Sequence, residues 1–226
     1  MNTNPLIILG GMGPQASLHL HKLLIEDTSN HGKGPDEFPF ILHASMPMPD
    51  FIASQEKTKE AIALIQATSK TLPLATAAAI GMACNTAHLL LDELSELPRH
   101  NFVSMIDAVV KDSQELGTRT VGLLASPTTV TSRLYHDTFE AAGIHVVEPS
   151  LAELNALNEV IHQVIAGTDP TTLRPILTTI AARMETQGAD TILLGCTELP
   201  LVGVDGSLPV LDSLSSLARH MLANRL

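Results

Sequence analysis

Short apolar runs alternate with longer amphipathic segments along the whole 226-residue chain, and this alternation restricts the fold more than any other feature. Runs suited to strands lie at 6–10, 38–44, 77–82, 101–105, 120–124, 145–147 and 191–194. Apolar residues at helical spacing fall at 15–29, 54–71, 85–95, 107–116, 130–142, 151–166 and 172–187, with a last helix at 213–224. Strands alternating with helices need crossover connections, which build mostly parallel sheet with helices on its faces. The expected class is α/β. Aromatic residues are only 3% of the chain, with no Trp and one Tyr, so Ala, Leu, Ile, Val and Met must make the core. Such residues suit strands buried on both faces.

The pattern also repeats. PLIILGGMGPQAS is echoed by RTVGLLASPTTVTS, and AAAIGMACNTAH by ADTILLGCTELP. From Gly10 to Cys84 is 74 residues and from Ala125 to Cys196 is 71. Each half thus offers a strand, a small-residue loop and a later strand that ends in Cys. Two similar lobes are expected, residues 1–106 with 211–226 and residues 107–210. A pseudo-twofold between them would put the active site between the lobes, with the Cys-bearing strand ends face to face.

Cys84 and Cys196 are the only cysteines. A free Cys is most often a small buried hydrophobe, but two in matching settings point to a shared role. Each follows a strand and is expected to open a helix, where unpaired N–H groups and the dipole favour an anion. That setting makes thiolate available near neutral pH. One thiolate would be a nucleophile; two suggest an acid and a base acting on opposite faces of one carbon. Other cysteine chemistries fit less well. No Cys-x-x-Cys is present, and a phosphatase loop would have Arg where Leu90 and Val202 stand. Cys84 and His88 are four apart, but no second ligand pair accompanies them, so no metal is expected.

The loop Gly10-Gly11-Met12-Gly13-Pro14 imitates a dinucleotide fingerprint. The acidic residue that should follow at the second strand is poorly placed, Asp50 being the nearest. A tight glycine turn accounts for the loop equally well, with its backbone N–H groups available to a carboxylate. Asn85, Thr86 and Thr197 beside the cysteines, and Ser126, Thr128 and Thr129 in the second-half loop, read either as helix caps or as substrate donors. The ten histidines show no triad spacing; His19 and His21 point in different directions.

Net charge is −11, which disfavours nucleic acid, and no basic run occurs. No apolar stretch reaches the ~20 residues of a membrane span. The start, MNTNPLIILGGMGP, has no charged region before its apolar run and reads as a strand, not a signal peptide. With two separated cysteines, the expected location is the reducing cytoplasm.

GGMGPQAS, CNTAH, LLASPTTVTSRLY and GCTELP together resemble the aspartate/glutamate racemase superfamily, the aspartate racemase branch above all. The resemblance runs in order over nearly the whole chain. It implies two similar α/β lobes, a homodimer, no cofactor and an amino-acid substrate. It further implies that Cys84 and Cys196 are the catalytic base and acid. Gly11, Met12, Asn85, Thr86, Thr129 and Thr197 would bind the substrate. Glutamate racemases look more distant, carrying Asp-Ser where this chain has Gly10-Gly11 and His where it has Glu198. Aspartate-selective relatives hold the distal carboxylate with an Arg after Pro-x-Pro-Asp and a Lys before Ala-Gly. Here Phe51 and Ile165 occupy those specificity positions, which opens the pocket to neutral or apolar side chains unless Arg133 or Lys57 compensates. Hydantoin racemisation, maleate isomerisation, a decarboxylation and non-catalytic binding of a small acid are the alternatives.

Overall fold

The computed structural model describes residues 4–30 and 37–224. The chain divides into two compact units, Met1–Met105 with Leu217–Leu226, and Ile106–Ser216. The first contains β1 (Leu6–Gly10), α1 (Pro14–Asn30), β2 (Ile41–Ser45), α2 (Gln55–Ser69), β3 (Ala79–Met82) and β4 (Phe102–Val103). Its sheet has the order β2-β1-β3-β4, with every pair parallel.

Helix α3 (Met105–Leu116) leads into the second unit. Next come β5 (Thr120–Leu124), α4 (Pro127–Thr131), α5 (His136–Ala141), β6 (His145–Val147), α6 (Leu151–Ile165) and α7 (Arg174–Thr186). The unit's sheet is completed by β7 (Thr191–Leu194), α8 (Leu199–Val202) and β8 (Val210–Asp212). The order β6-β5-β7-β8 repeats the first sheet strand for strand, again all parallel. Helix α9 (Ser213–Ala223) starts in the second unit and ends in the first.

All five residues of β1 and all four of β3 and β7 are buried, as continuous apolar runs in a covered parallel sheet should be. Ile7, Leu9, Ile65, Ile80 and Met82 share one cluster in the first unit. In the second, one cluster joins Leu157, Val160, Leu177 and Leu194, and another joins Val121, Leu123, Tyr135 and Phe139. Helix α6 starts with a full capping box: Ser150 Oγ accepts from Glu153 N–H, and the Glu153 carboxylate accepts from Ser150 N–H at 2.7 Å.

Several boundaries differ from those expected. Strand β4 is two residues long; Asn101 just before it still accepts from Ile80 N–H at 2.8 Å, and its side-chain amide donates to the carbonyls of Leu74 and Ala77 at 2.7 and 3.0 Å. The segment 130–142 is not one helix but α4 and α5, broken at Arg133, which holds φ at 57°. Strand β8 gave no periodic signal, since three residues are too few to show one. Its pairing of Leu211 with Leu193 keeps 211–216 in the second unit, whereas those residues were expected with the first.

Ser150→Ala removes one side of the capping box. It should lower unfolding free energy by about 1 kcal/mol, read as a reduced urea midpoint with an unchanged slope.

Candidate active site

In each sheet the chain goes from β1 or β5 outward to one side, then crosses back to place β3 or β7 on the other. Neighbouring strands whose connections leave in opposite directions form a switch point, and loops beyond their carboxyl ends diverge to leave a crevice. The loops at these points are Gly10–Gly13 and Cys84–Thr86 in the first unit, and 125–129 and 196–198 in the second. Six of the eight substrate and catalytic residues named from sequence lie in loops after these strands, and the remaining two, Thr86 and Thr129, lie in the first helical turns there.

The two thiols occupy equivalent positions. Leu9 pairs with Met82 and Leu124 with Leu194, and each Cys comes two residues later. The residue before each Cys closes the ladder with the same bond, Ala83 N–H to Leu9 C=O at 3.0 Å and Gly195 N–H to Leu124 C=O at 2.8 Å. Both thiols are nearly covered, at 8% and 9% exposure. Gly195 admits this approach: a Cβ there would lie 2.8 Å from Leu123 Cδ1 and 3.3 Å from the Tyr135 ring.

The segments beyond the two cysteines differ from expectation. No α-helix runs over 85–95; Thr86–Glu93 is a 3₁₀ helix. The His88 ring is the reason. Its Nδ1–H donates to the Cys84 carbonyl at 2.9 Å, the acceptor an α-helix would have offered to the His88 backbone, and that N–H turns to Asn85 C=O at 3.0 Å instead. His88 Nε2 accepts from Met105 N–H at 3.1 Å, so the ring is a neutral Nδ1–H tautomer joining the Cys84 turn to the start of α3. After Cys196 only the four-residue α8 forms. An α-helix dipole is therefore not what serves either thiol.

The second thiol has its own partner. Cys196 Sγ donates to Glu198 Oε2 at 3.1 Å, and Thr197 Oγ1 donates to the same oxygen at 3.2 Å. Glu198 is 4% exposed. Burial raises its carboxyl above the usual range, against the opposing hydrogen bonds from Cys196, its own backbone and Thr197. No salt bridge reaches Glu198 among the described residues. Tyr135 is wholly buried next to Cys196, Asp212 and Ser213. Burial pushes its hydroxyl well above the usual phenol range, and the electrostatic influence of Cys196 and Asp212 acts in the same direction.

The first loop is shaped by packing. Gly11 has φ +94°, and a Cβ on it would fall 1.9 Å from the Met46 carbonyl oxygen. Its N–H is directed at Ser17 Oγ, 3.4 Å away. Pro14 opens α1 as suits a first helical position. Met12 packs with Met48 and Phe51 against the cluster containing Cys84. Asn85 is 2% exposed and does not cap the turn after it, whereas Thr86 is half-buried. In the second unit Ser126 is the cap of α4, accepting from Thr129 N–H at 3.2 Å and donating to Thr129 Oγ1 at 3.0 Å. Thr129 and Thr197 are both buried.

Ile165 is not brought to this group. It ends α6 at 43% exposure, and the apolar cluster around Cys196 takes Val160, Ile161 and Val164 from that helix. The two cations that stood as substitutes are engaged at the surface, Lys57 with Glu60 at 2.8 Å and Arg133 with Glu140 at 2.7 Å. No Lys or Arg is buried among the described residues. Neither are three potential metal ligands grouped there. No described helix is long and apolar enough to cross a membrane. Sequence reasoning missed three residues at the thiols: Glu198 and Tyr135 at Cys196, and His88 as a backbone ligand. Two signals were available: the i, i+4 spacing of Cys84 and His88, and the place of Glu198 two residues after Cys196 in GCTELP.

Two parallel sheets of this order, each placing a Cys two residues beyond a switch-point strand, define a racemase-type α/β fold. The chain belongs to the Asp/Glu/hydantoin racemase family, whose model matches residues 9–221. It is 30% identical to the crystal structure of an aspartate racemase homologue from Pyrococcus horikoshii OT3, over 98% of this chain and 99% of that one, with a TM-score of 0.81. It is 28% identical to an aspartate racemase from Picrophilus torridus, over 99% and 94%, with a TM-score of 0.82. A broad specificity amino-acid racemase from Bacillus subtilis is 24% identical over 97% of each chain.

The wiring of the thiol turns leads to two expected outcomes. His88→Phe leaves the Cys84 carbonyl and the Met105 N–H without the ring, and should cost about 2 kcal/mol in urea unfolding. Glu198 carries a folded-state pKa raised above its unfolded value. Such an acid subtracts stability above the folded pKa and subtracts none below the unfolded one, about 4.3. Glu198→Gln should therefore raise the thermal midpoint at pH 7, with the difference closing as pH falls through the carboxylate range.

Proposed function

We propose that this protein is a cofactor-independent amino-acid racemase in which Cys84 and Cys196 act as base and acid on one α-carbon. The observation that carries the reading is the equivalence of the two thiols: same strand, same distance past its end, same ladder bond before it. A chain needing only one nucleophile has no use for the second copy. In the forward direction one thiolate removes the α-proton as the other thiol protonates the opposite face. The first thiolate becomes a thiol, the second a thiolate, and the carbon is inverted with no net change in protons. Backbone and side-chain donors at Asn85, Thr86, Thr129 and Thr197 would hold the α-carboxylate and stabilise charge as the carbanion forms.

The substrate side chain is read as neutral or apolar. Phe51, Met12 and Met48 pack on the cluster of Cys84, and a carboxylate placed on such a surface without a cation is costly. Lys57 and Arg133 are spent on other carboxylates. The broad specificity of the Bacillus subtilis relative is in line with this reading, while the aspartate racemase names of the structural relatives make aspartate the substrate to compare against.

Purified protein incubated with single enantiomers in deuterated water should exchange the α-proton and lose optical rotation with neutral amino acids in preference to aspartate. Cys84→Ser and Cys196→Ser should each slow racemisation by about 10²–10⁴-fold. Absence of exchange across a panel of amino acids would sink the reading. Phe51→Arg should raise kcat/KM for aspartate relative to a neutral amino acid; an unchanged ratio would remove Phe51 from specificity.

A further inference from the structure

The two thiol turns are alike in backbone and unlike in chemistry two residues on. In the first unit that position is Thr86; in the second it is Glu198, a residue that holds charge and sits 4% exposed against the sulfur. We propose that Glu198 keeps Cys196 in its protonated form, making Cys196 the proton donor of the free enzyme. The catalytic consequence rests on the two-thiol racemase reading; the claim about protonation does not.

Glu198 Oε2 accepts from both the Cys196 thiol and the Thr197 hydroxyl, the arrangement of an acceptor-only carboxylate oxygen. Free carboxyl and thiol groups ionise about four units apart, so the carboxyl surrenders its proton first. Removing the thiol proton afterwards would set two negative charges 3.1 Å apart in a buried site. Like charges at that range oppose ionisation of the second group, and no cation is paired to Glu198 to relieve them among the described residues. The S–H···O⁻ pair therefore carries one charge and retains its proton on sulfur.

Other charged groups lie beside Cys196 or on elements packed against α8, and none of them is paired with Glu198 among the described residues. Tyr135 faces Cys196 but stays protonated, with Asp212 beside it. Helix α6, packed on α8, carries Glu153, Glu159 and His162. Glu153 is paired with Arg183 at 2.6 Å, and Glu159 accepts from Gln163 at 2.8 Å. Arg174 reaches the far end of α8, its Nε donating to Val202 C=O at 3.0 Å, and pairs with Asp205. The groups that act on the Glu198 carboxyl are Cys196, Thr197 and its own backbone.

A two-thiol racemase needs one thiol and one thiolate before substrate binds. Glu198 would settle which is which: Cys196 keeps the proton, and Cys84 is the thiolate. The enantiomer whose α-proton faces Cys84 is then the one the free enzyme is prepared to take. After that turnover Cys196 is the thiolate beside a carboxylate and Cys84 is the thiol; a proton gained by Cys196 and one released from Cys84 restore the favoured form with no net change in protons.

The test uses the full chain. In Cys84→Ser, Cys196 is the sole thiol, and its ultraviolet thiolate absorbance is followed against pH. Half-ionisation is expected above the free-thiol value of about 8.5; a value at or below it overturns the proposal without recourse to any Glu198 variant. In the double variant Cys84→Ser with Glu198→Gln, about tenfold more thiolate should be present at a given pH on the rising limb, and an unmoved curve overturns the proposal. In the protein with both cysteines, the alkaline limb of kcat/KM reports loss of the last thiol proton from the free enzyme. Glu198→Gln should move that limb to lower pH in both directions and leave the acid limb in place, a separation that a merely structural role would not produce. A stationary alkaline limb also overturns the assignment. If the thiol titrations come out as expected and no amino acid exchanges its α-proton, the racemase reading fails alone.

Discussion

Everything at the candidate site depends on how two parallel strand pairs end. β1 with β3, and β5 with β7, run side by side as buried apolar ladders, and each pair is closed by one backbone bond from the residue before Cys. A parallel pair cannot be joined by a tight turn, so the chain must leave each strand end and travel round the sheet. The ends are thus free to diverge as loops, and the small residues there let a sulfur lie close to the sheet. Gly195 is the clearest case, since any Cβ would press on Leu123 and Tyr135. The interior therefore sets where the sulfurs lie, and their chemistry is added by the few residues beyond.

Those residues diverge between the units. Around Cys84 the backbone is arranged by a histidine that spends both ring nitrogens on main-chain groups, turning the next segment into a 3₁₀ helix. Around Cys196 a buried glutamate and a buried tyrosine add charge and a proton-holding hydroxyl. Burial of Glu198 without a cation is costly, and the hydrogen bonds it accepts from Cys196 and Thr197 oppose that cost.

Much of the fold is legible in the sequence for simple reasons. β1, β5, β6 and β7 have the expected limits because short apolar runs bounded by Gly, Pro or polar turns leave little choice. Helix α6 has the expected start because Ser150 and Glu153 form a recognisable cap. β4 and β8 do not, since two or three residues show no period and their pairing is made by partners far away in the chain. The break at Arg133 is invisible for a related reason: helical spacing continues across it, and only packing reveals the positive φ. At the site, the cysteines are evident from the repeated motifs. Ile165 shows the limit of such reading, for its place in a motif does not give the direction it faces, and it lies exposed at the end of α6.

By itself the sequence determined the α/β class, the duplication and the paired thiols, because alternation, repetition and residue scarcity are properties of a string. Tertiary structure alone decided which neighbours each thiol keeps. His88 was a candidate metal ligand by spacing and became a backbone clamp once Met105 was brought to its second nitrogen. Glu198 was a motif residue that set this chain apart from glutamate racemases, and only burial set its oxygen 3.1 Å from sulfur. Charge and hydrogen bonding act through distance and desolvation, and neither quantity exists before the chain has folded.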